Sequence, residues 1–279
     1  MNRIPTLTTA DGLTLPSVGF GTYKLNGAVG VNAITKALSN GYHLLDTAFN
    51  YENEGTVGEA IRRSDVPREK IIVSSKLPGR HHKYNEALTT IQESLYRAGL
   101  DYYDMYLIHW PNPKENHYVE AWQALITAQK WGLVRSIGVS NFLPEHIDRL
   151  VKETGVGPVV NQIELHPYFS EKQLRAYDEK HNIITMAWSP IGRASSMLKD
   201  PVIKKIADHK GLSTSQVILR WETQLGVIPI PKSSKSFRQV ENLDLFDFKL
   251  SDEEMQTITN LDKPDGRLNN QDPAKYEEF

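Results

Sequence analysis

Four side chains that can hold or transfer a proton stand in separate segments of the chain: Asp46, Tyr51, Lys76 and His109. A tyrosine, with an ordinary pKa of about 10, is a poor proton donor at neutral pH unless a neighbour stabilises its anion. A lysine ammonium can do this, and a buried carboxylate would hold the lysine and compensate its charge. A histidine can add a hydrogen bond to developing negative charge. These residue types indicate acid–base chemistry, provided that the fold brings them together.

The elements that must position these residues are short apolar runs typical of β-strands. Amphipathic stretches with helical spacing lie between the runs, at Asn85–Arg97, Tyr118–Lys130, Pro144–Val151 and Glu171–His181. This alternation is typical of a parallel α/β sheet. The eight predicted strands are Val18–Phe20, His43–Asp46, Ile71–Ser75, Met105–His109, Ser136–Val139, Val159–Ile163, Ile184–Trp188 and Val227–Ile230.

The alternation is unbroken from about Val18 to Asn242, which favours one closed (β/α)₈ TIM barrel over two open sheets. We therefore expect residues 1–279 to form a single α/β barrel domain. An open Rossmann sheet would carry Gly-x-Gly-x-x-Gly after its first strand; Gly19–Phe20–Gly21 begins in this way, but Lys24 stands at the third glycine.

Two further predictions concern the ends of this barrel. The segments on either side of Asp11–Gly12 predict an N-terminal β-hairpin, which we expect to close the bottom of the barrel. The active site of such a barrel is built at the carboxyl ends of the strands. Titratable or amide-bearing side chains stand at nearly every predicted strand end, among them Asp46, Lys76 and His109.

Composition excludes several classes of function. The net charge of -2 argues against a nucleic-acid partner. The absence of cysteine removes disulfides, thiolate nucleophiles and zinc–thiolate or iron–sulfur sites. No apolar run approaches the roughly 20 residues that span a bilayer, and Met1–Ala10 lacks a signal-peptide pattern. We expect a cytoplasmic protein without a metal site, and we interpret His81–His82 as a solvated loop.

The segments at the strand ends resemble motifs of the aldo-keto reductase family. Asp46–Tyr51 resembles the family's Asp-Thr-Ala-x-x-Tyr motif, and Lys76 and His109 complete its catalytic tetrad. The resemblance covers essentially the whole chain and is greatest to a bacterial branch with 2,5-diketogluconate and glyoxal reductases. Four more segments are similar to the family's cofactor-binding segments: Gly138–Phe142, Asn161–Glu164, Ser189–Gly192 and Ile230–Ser233.

The resemblance implies hydride transfer from NADPH to small aldehydes or ketones, with α-dicarbonyls and keto-sugars as candidate substrates. It implies that Tyr51 is the general acid, Lys76 tunes it, Asp46 holds the lysine and His109 binds the carbonyl oxygen. Candidate apolar walls around the substrate are Tyr23, Phe49 and Trp110, which stand beside the matched motifs.

By matching positions, the resemblance also implies a set of cofactor contacts. Lys232 and Arg238 are cations where a 2′-phosphate would lie, which favours NADP(H) over NAD(H). The implied contacts are Ser140, Asn141 and Gln162 to the carboxamide, Trp188 stacked on the nicotinamide, Ser189, Ile191 and Gly192 along the pyrophosphate, and Lys232, Ser233, Arg238, Glu241 and Asn242 around the adenosine.

Two departures from the family concern the substrate pocket. Many relatives carry a tryptophan after the Lys-Leu pair, where this chain has Pro78 and Gly79. The chain after Asp262 is short and polar, whereas long tails shape specificity in relatives, so we expect an open pocket.

Two other functions stay open at this point. One is a non-catalytic NADP(H)-binding barrel with a regulatory role, and the other is an isomerase or lyase that uses Lys76 as a Schiff-base nucleophile. We expect a monomer that takes a small carbonyl compound as its ligand.

Overall fold

The computed structural model describes residues 4–194 and 196–279. The strands in these residues are β1 (Thr6–Thr8), β2 (Thr14–Pro16), β3 (Phe20–Gly21), β4 (Leu44–Asp46), β5 (Ile72–Leu77), β6 (Tyr103–Ile108), β7 (Val134–Ser140), β8 (Val160–Glu164), β9 (Ile184–Trp188) and β10 (Ile228–Pro229). The α-helices are α1 (Gly27–Asn40), α2 (Glu54–Arg62), α3 (Tyr84–Ala98), α4 (Tyr118–Lys130), α5 (Pro144–Thr154), α6 (Lys172–Lys180), α7 (Pro201–Lys210), α8 (Thr214–Gln224), α9 (Ser236–Leu243) and α10 (Asp252–Thr259).

Strands β3 to β10 are parallel neighbours in chain order. Two backbone hydrogen bonds join the first to the last, from Gly19 N to Pro229 O (2.9 Å) and from Gly21 N to Pro231 O (3.1 Å). A Cβ on Gly21 would lie 3.1 Å from the carbonyl oxygen of Ile230, so the seam favours a glycine. The predicted (β/α)₈ barrel is confirmed, and no predicted strand end differs from the observed one by more than two residues.

The N-terminal hairpin covers the end of the barrel at which the strands begin. Leu15 of β2 is fully buried in the cluster that fills the barrel interior, together with Leu44 and Ile228 at the start of β4 and β10. Burying a leucine side chain is worth roughly 1.5–3 kcal/mol. The predicted hairpin is confirmed, and the carboxyl ends of the strands are left free to form a site at the opposite end.

Helices pack around the outside of the barrel. The inward face of α1 illustrates why, because Ile34, Ala37 and Leu38 recur at helical spacing and are buried in the main hydrophobic cluster. No helix in the described ranges is long and apolar enough to cross a membrane.

Candidate active site

Lys76 and Asp46 form a buried ion pair at the carboxyl ends of β5 and β4. Lys76 Nζ donates hydrogen bonds to both carboxylate oxygens of Asp46 (2.8 and 2.7 Å) and to the carbonyl oxygen of Thr47 (2.9 Å). Gln162, on β8, donates from Nε2 to Oδ1 of the same carboxylate at 2.8 Å. Lys76 has no exposed surface. The pair therefore compensates two charges that would be costly to bury separately.

Tyr51 closes a 3₁₀ turn (Phe49–Tyr51) after β4 and lies above this pair. Nζ of Lys76 is 5.2 Å from the centre of the Tyr51 ring, and the His109 ring is 5.8 Å away between centres, at 75°. Tyr51 lines a cavity, and its hydroxyl has no hydrogen-bond partner among the described residues. The four predicted tetrad residues are thus brought together, with the hydroxyl available to a ligand.

The environment of Tyr51 keeps its hydroxyl protonated. Burial raises the pKa of Tyr51 well above its ordinary value, and the carboxylates of Asp46 and Glu278 raise it further, against a smaller opposing effect of Arg193. Burial also lowers the pKa of Lys76, although Asp46 opposes this change. Because Lys76 is paired with Asp46, its ammonium does not outweigh the effect of burial on the pKa of Tyr51. The site therefore provides a neutral phenol as a proton donor.

His109 follows β6 and is fixed from two sides. Its backbone carbonyl accepts a hydrogen bond from Nδ2 of Asn141 (3.0 Å), and its backbone N–H donates to Leu77 O (3.0 Å). On the ring, Nδ1 lies 2.8 Å from Oε1 of Glu278, at ion-pair distance but without the alignment of a hydrogen bond. This contact leaves Nε2 as the ring nitrogen that a ligand can use.

The last segment of the chain, residues 266–279, which we call the tail, closes one side of the cavity. The Glu278 side chain accepts hydrogen bonds from Asn50 Nδ2 (2.8 Å) and from the Gly79 N–H (3.0 Å). The backbone carbonyl oxygen of Glu278 accepts a hydrogen bond from Asn112 Nδ2 (2.9 Å), and its backbone N–H donates to Asn112 Oδ1 (3.0 Å). The expectation of an open pocket is therefore wrong on this side.

Tyr276 adds an aromatic wall from the tail. Its ring centre lies 4.5 Å from that of Trp110, which the sequence predicted as a wall. The tail thus adds aromatic bulk to the wall of the cavity that contains Trp110.

The cavity at the carboxyl ends of the strands has a volume of about 640 Å³. Of the predicted site residues, it is lined by Tyr23, Asp46, Tyr51, His109, Trp110, Asn141, Gln162, Trp188, Ser189, Ile191 and Lys232. It is also lined by residues that the sequence reasoning missed: Lys24, Asn50, Arg193, Gln271, Tyr276 and Glu278.

Phe49 does not line the cavity, contrary to its predicted place as a substrate wall. Its ring packs against the guanidinium of Arg97 on α3 (3.8 Å) and against the ring of His81 (5.6 Å). A 3₁₀ helix has three residues per turn, so Phe49 and Tyr51, two positions apart, point in different directions. Phe49 therefore supports the turn from outside while Tyr51 faces the cavity.

An amide network behind the cavity orients Trp188. Asn141, in a left-handed conformation (φ 62°), accepts a hydrogen bond from the indole N–H at 2.7 Å and donates to Ser140 Oγ at 3.1 Å. Ser140 Oγ in turn donates to the carbonyl oxygen of Gln162 at 2.8 Å. Oε1 of Gln162 has no partner in the described part of the chain. Ser140 therefore holds its neighbours, while Gln162 keeps a free acceptor.

The loop after β9 turns through left-handed residues at Ser189 (φ 51°), Gly192 (φ 57°) and Arg193 (φ 55°). The Gly192 N–H donates to the carbonyl oxygen of Ser189 at 2.8 Å, which closes the turn. Ser189, Ile191 and Arg193 line the cavity, and Gly192 serves the turn itself.

The predicted adenosine segment runs from the cavity onto α9. Lys232 lines the cavity, whereas Ser233, Arg238, Glu241 and Asn242 lie beyond it. Nε2 of the buried Gln239 donates to the carbonyl oxygens of Ala33 on α1 (3.0 Å) and of Ser233 (2.9 Å). This anchor holds the segment against α1 and leaves Arg238 exposed.

The interpretation of His81–His82 as a solvated loop is wrong for His82. This side chain is 2% exposed, and neither ring nitrogen has a hydrogen-bond partner among the described residues. Burial lowers the pKa of His82 to about 4, so the ring is neutral. His81 is half-buried, with Nδ1 2.8 Å from Thr90 Oγ1.

Comparisons with known proteins agree with this geometry. The sequence profile of the Aldo/keto reductase family matches residues 17–263. The chain is 48% identical to 2,5-diketo-D-gluconic acid reductase B of Corynebacterium sp. (strain SHS752001), over 100% of both chains. It is 42% identical to methylglyoxal reductase DkgA of Escherichia coli (strain K12), over 95% of this chain and 96% of that one.

A solved structure extends the similarity to three dimensions. The crystal structure of a Gox0644 mutant in complex with NADPH has a TM-score of 0.94 and 39% identity, covering 99% of this chain and 100% of that chain. The profile match, the full-length relatives and the shared fold lead to one conclusion: the chain belongs to the aldo-keto reductase family.

Proposed function

We propose that this chain reduces the carbonyl group of small aldehydes or ketones with NADPH, and that Tyr51 is the general acid. The observation that carries the proposal is the unpartnered hydroxyl of Tyr51, which opens into the cavity between His109 and the Lys76–Asp46 pair. Relatives named as diketogluconate and methylglyoxal reductases support α-dicarbonyls and keto-sugars as candidate substrates.

The residues around the cavity fit NADPH. Lys24, Arg193 and Lys232 bring cations to one side of the rim, where phosphate groups would be stabilised. The free Oε1 of Gln162 could accept a carboxamide N–H, and Trp188 offers an oriented ring for stacking. Arg238, exposed on α9, would pair with a 2′-phosphate. When bound, NADPH supplies the hydride that reduces the carbonyl carbon.

The proton for the carbonyl oxygen comes from Tyr51. As negative charge develops on that oxygen, the O–H bond of Tyr51 breaks and its proton moves to the oxygen, which leaves a phenolate. Lys76, 5.2 Å from the ring centre, stabilises this phenolate until solvent reprotonates it. His109 binds the same oxygen through Nε2, because its Nδ1 is held beside Glu278. Both contacts stabilise charge where it develops.

The arrangement of Lys76 argues against a Schiff-base lyase. Its ammonium is occupied by two oxygens of Asp46 and one of Thr47, and it has no exposed surface. A substrate carbonyl in the cavity would meet Tyr51 first. The assembled tetrad likewise favours an enzyme over a regulatory barrel. That the protein is a cytoplasmic monomer without nucleic-acid partners stays a prediction.

The decisive experiment follows NADPH oxidation by absorbance with methylglyoxal, a keto-sugar and an aromatic aldehyde, and repeats each assay with NADH. We expect turnover with at least one substrate and a higher kcat/KM for NADPH. Tight NADPH binding without turnover of any of the three would overturn the proposal in favour of a regulatory barrel.

A further inference from the structure

Charged side chains of opposite sign occupy opposite sides of the cavity. Lys24, Arg193 and Lys232 follow β3, β9 and β10, which are neighbours in the closed barrel. The Glu278 carboxylate instead contacts groups that follow β4, β5 and β6. These are the Asn50 amide, the Gly79 N–H and the His109 ring.

Glu278 carries the negative charge that the cavity can present to a ligand. The described residues lining the cavity include two acids, Asp46 and Glu278. Asp46 is neutralised by Lys76, which contacts both of its oxygens. Among the described residues, Glu278 forms no ion pair with a lysine or an arginine; its carboxylate accepts hydrogen bonds from the uncharged Asn50 amide and Gly79 N–H and lies 2.8 Å from His109 Nδ1.

The Glu278 carboxylate is also ionised and fixed in place. Burial would raise its pKa, but the contacts from His109, Gly79 and Asn50 outweigh burial and lower that pKa to about 2. The reciprocal backbone contacts with Asn112 hold the residue, which is 8% exposed. A substrate therefore meets a stationary negative charge beside His109.

We propose that Glu278 is a specificity-determining residue that disfavours substrates with a carboxylate directly bonded to the reacting carbonyl and favours substrates with an uncharged group at that position. This inference rests on the proposed function, which places the carbonyl between Tyr51 and His109. A carboxylate one bond from that carbonyl would lie close to Glu278 in a partly dehydrated cavity, where like charges repel more strongly than in water. The cations that follow β3, β9 and β10 are assigned to the phosphates of the cofactor, whereas Glu278 stands beside His109.

The test compares glyoxylate with methyl glyoxylate, which share an aldehyde and differ in the charge of the adjoining group. The kcat/KM ratio of acid to ester is measured with NADPH for the wild type, Glu278→Gln and Glu278→Ala. The matched control is Glu277→Gln, which changes the net charge equally. Glu277 does not line the cavity, and its Oε1 accepts a hydrogen bond from the Lys114 N–H at 2.7 Å.

We expect both Glu278 variants to raise the acid-to-ester ratio by about tenfold or more, and Glu277→Gln to keep it within about twofold of the wild type. A more mobile tail would not raise the acid-to-ester ratio, because a wider cavity would favour the larger substrate, which is the ester. An equal rise in kcat/KM for both substrates would mean that the tail only limits access to the cavity. An unchanged acid-to-ester ratio in active variants would show that Glu278 does not affect the choice of substrate. Either result would overturn this inference and leave the proposed function intact. A wild type that reduces neither compound, nor any aldehyde of the wider panel, would overturn the proposed function as well.

Discussion

Both carboxylate oxygens of Asp46 accept hydrogen bonds from the ammonium of Lys76, at 2.8 and 2.7 Å, and the lysine is completely buried. The same carboxylate also accepts a hydrogen bond from Gln162 on β8. Asp46 therefore links β4 to strands on both sides of the site, and its charge stabilises both the fold and the position of Lys76 under Tyr51.

Asp46→Asn should lower the free energy of unfolding by about 3–5 kcal/mol, because it leaves the ammonium of Lys76 buried without a counter-charge. Urea denaturation measures this change. Asp208→Asn, which removes an exposed partner of Lys204 on α7, serves as the control and should cost less than about 1 kcal/mol. Similar losses in the two variants would contradict the assignment of Asp46 as the essential partner.

Tyr51→Phe removes the proposed proton donor while the ring remains. We expect kcat for carbonyl reduction to fall by about 10²–10⁴-fold, with the Kd for NADPH changed by no more than about threefold. Steady-state assays and fluorescence titration measure the two quantities. Tyr84→Phe is the control, since that hydroxyl contacts Thr127 on α4 and lies outside the cavity. A Tyr51→Phe variant with wild-type kcat would show that another group protonates the oxygen.

The pH dependence of the reaction should reflect the raised pKa of Tyr51. Reduction needs the protonated hydroxyl, which is present below the pKa, so a raised pKa moves its loss to higher pH. We expect kcat/KM for reduction to show no decline due to Tyr51 up to pH about 10. Oxidation of the product alcohol needs the phenolate and should rise with pH over the same range. A decline of reduction with a midpoint near neutral pH, absent from Tyr51→Phe, would contradict this.

The barrel and the tetrad could be predicted because their signals are local in the sequence. Buried parallel strands are apolar runs, and the residue that ends each run lies at the active end of the barrel. Asp46, Lys76 and His109 were found in this way, and a short motif placed Tyr51. The upward shift of the pKa of Tyr51 could not be predicted, because it depends on the burial of the side chain and on the position of Glu278.

The tail could not be predicted because its contacts leave no local pattern. The partners of Glu278, which are Asn50, Gly79 and Asn112, lie 228, 199 and 166 residues away in the chain. From its composition alone, such a polar segment is predicted to be exposed to solvent. Its burial becomes evident only when the positions of the loops that it contacts are known. The same reason explains His82, because the groups around its ring include Glu278 and His117, which are distant in the sequence.

Arg238→Ala tests the proposed 2′-phosphate contact. The KM for NADPH should rise by about 10–100-fold, and the KM for NADH by no more than about twofold, because only NADPH carries the phosphate. Arg62→Ala, an exposed cation at the end of α2, is the control and should change neither value. Equal increases for the two cofactors would remove Arg238 from the phosphate site.

Gly79→Ala tests whether the tail is seated as the structure shows. An added Cβ would lie 2.4 Å from Nδ2 of Asn112 and 2.5 Å from the carbonyl oxygen of Glu278, so an alanine must displace the tail. We expect hydrogen–deuterium exchange in the C-terminal peptide to accelerate by about tenfold or more, because the Glu278 N–H loses its acceptor on Asn112. Gly157→Ala is the control, since its Cβ would meet only Val151 at 3.4 Å. If exchange in the tail stays at the wild-type rate in Gly79→Ala, the tail does not rest against Gly79 and Asn112 in solution, and Tyr276 and Glu278 could no longer be assigned to the wall of the cavity.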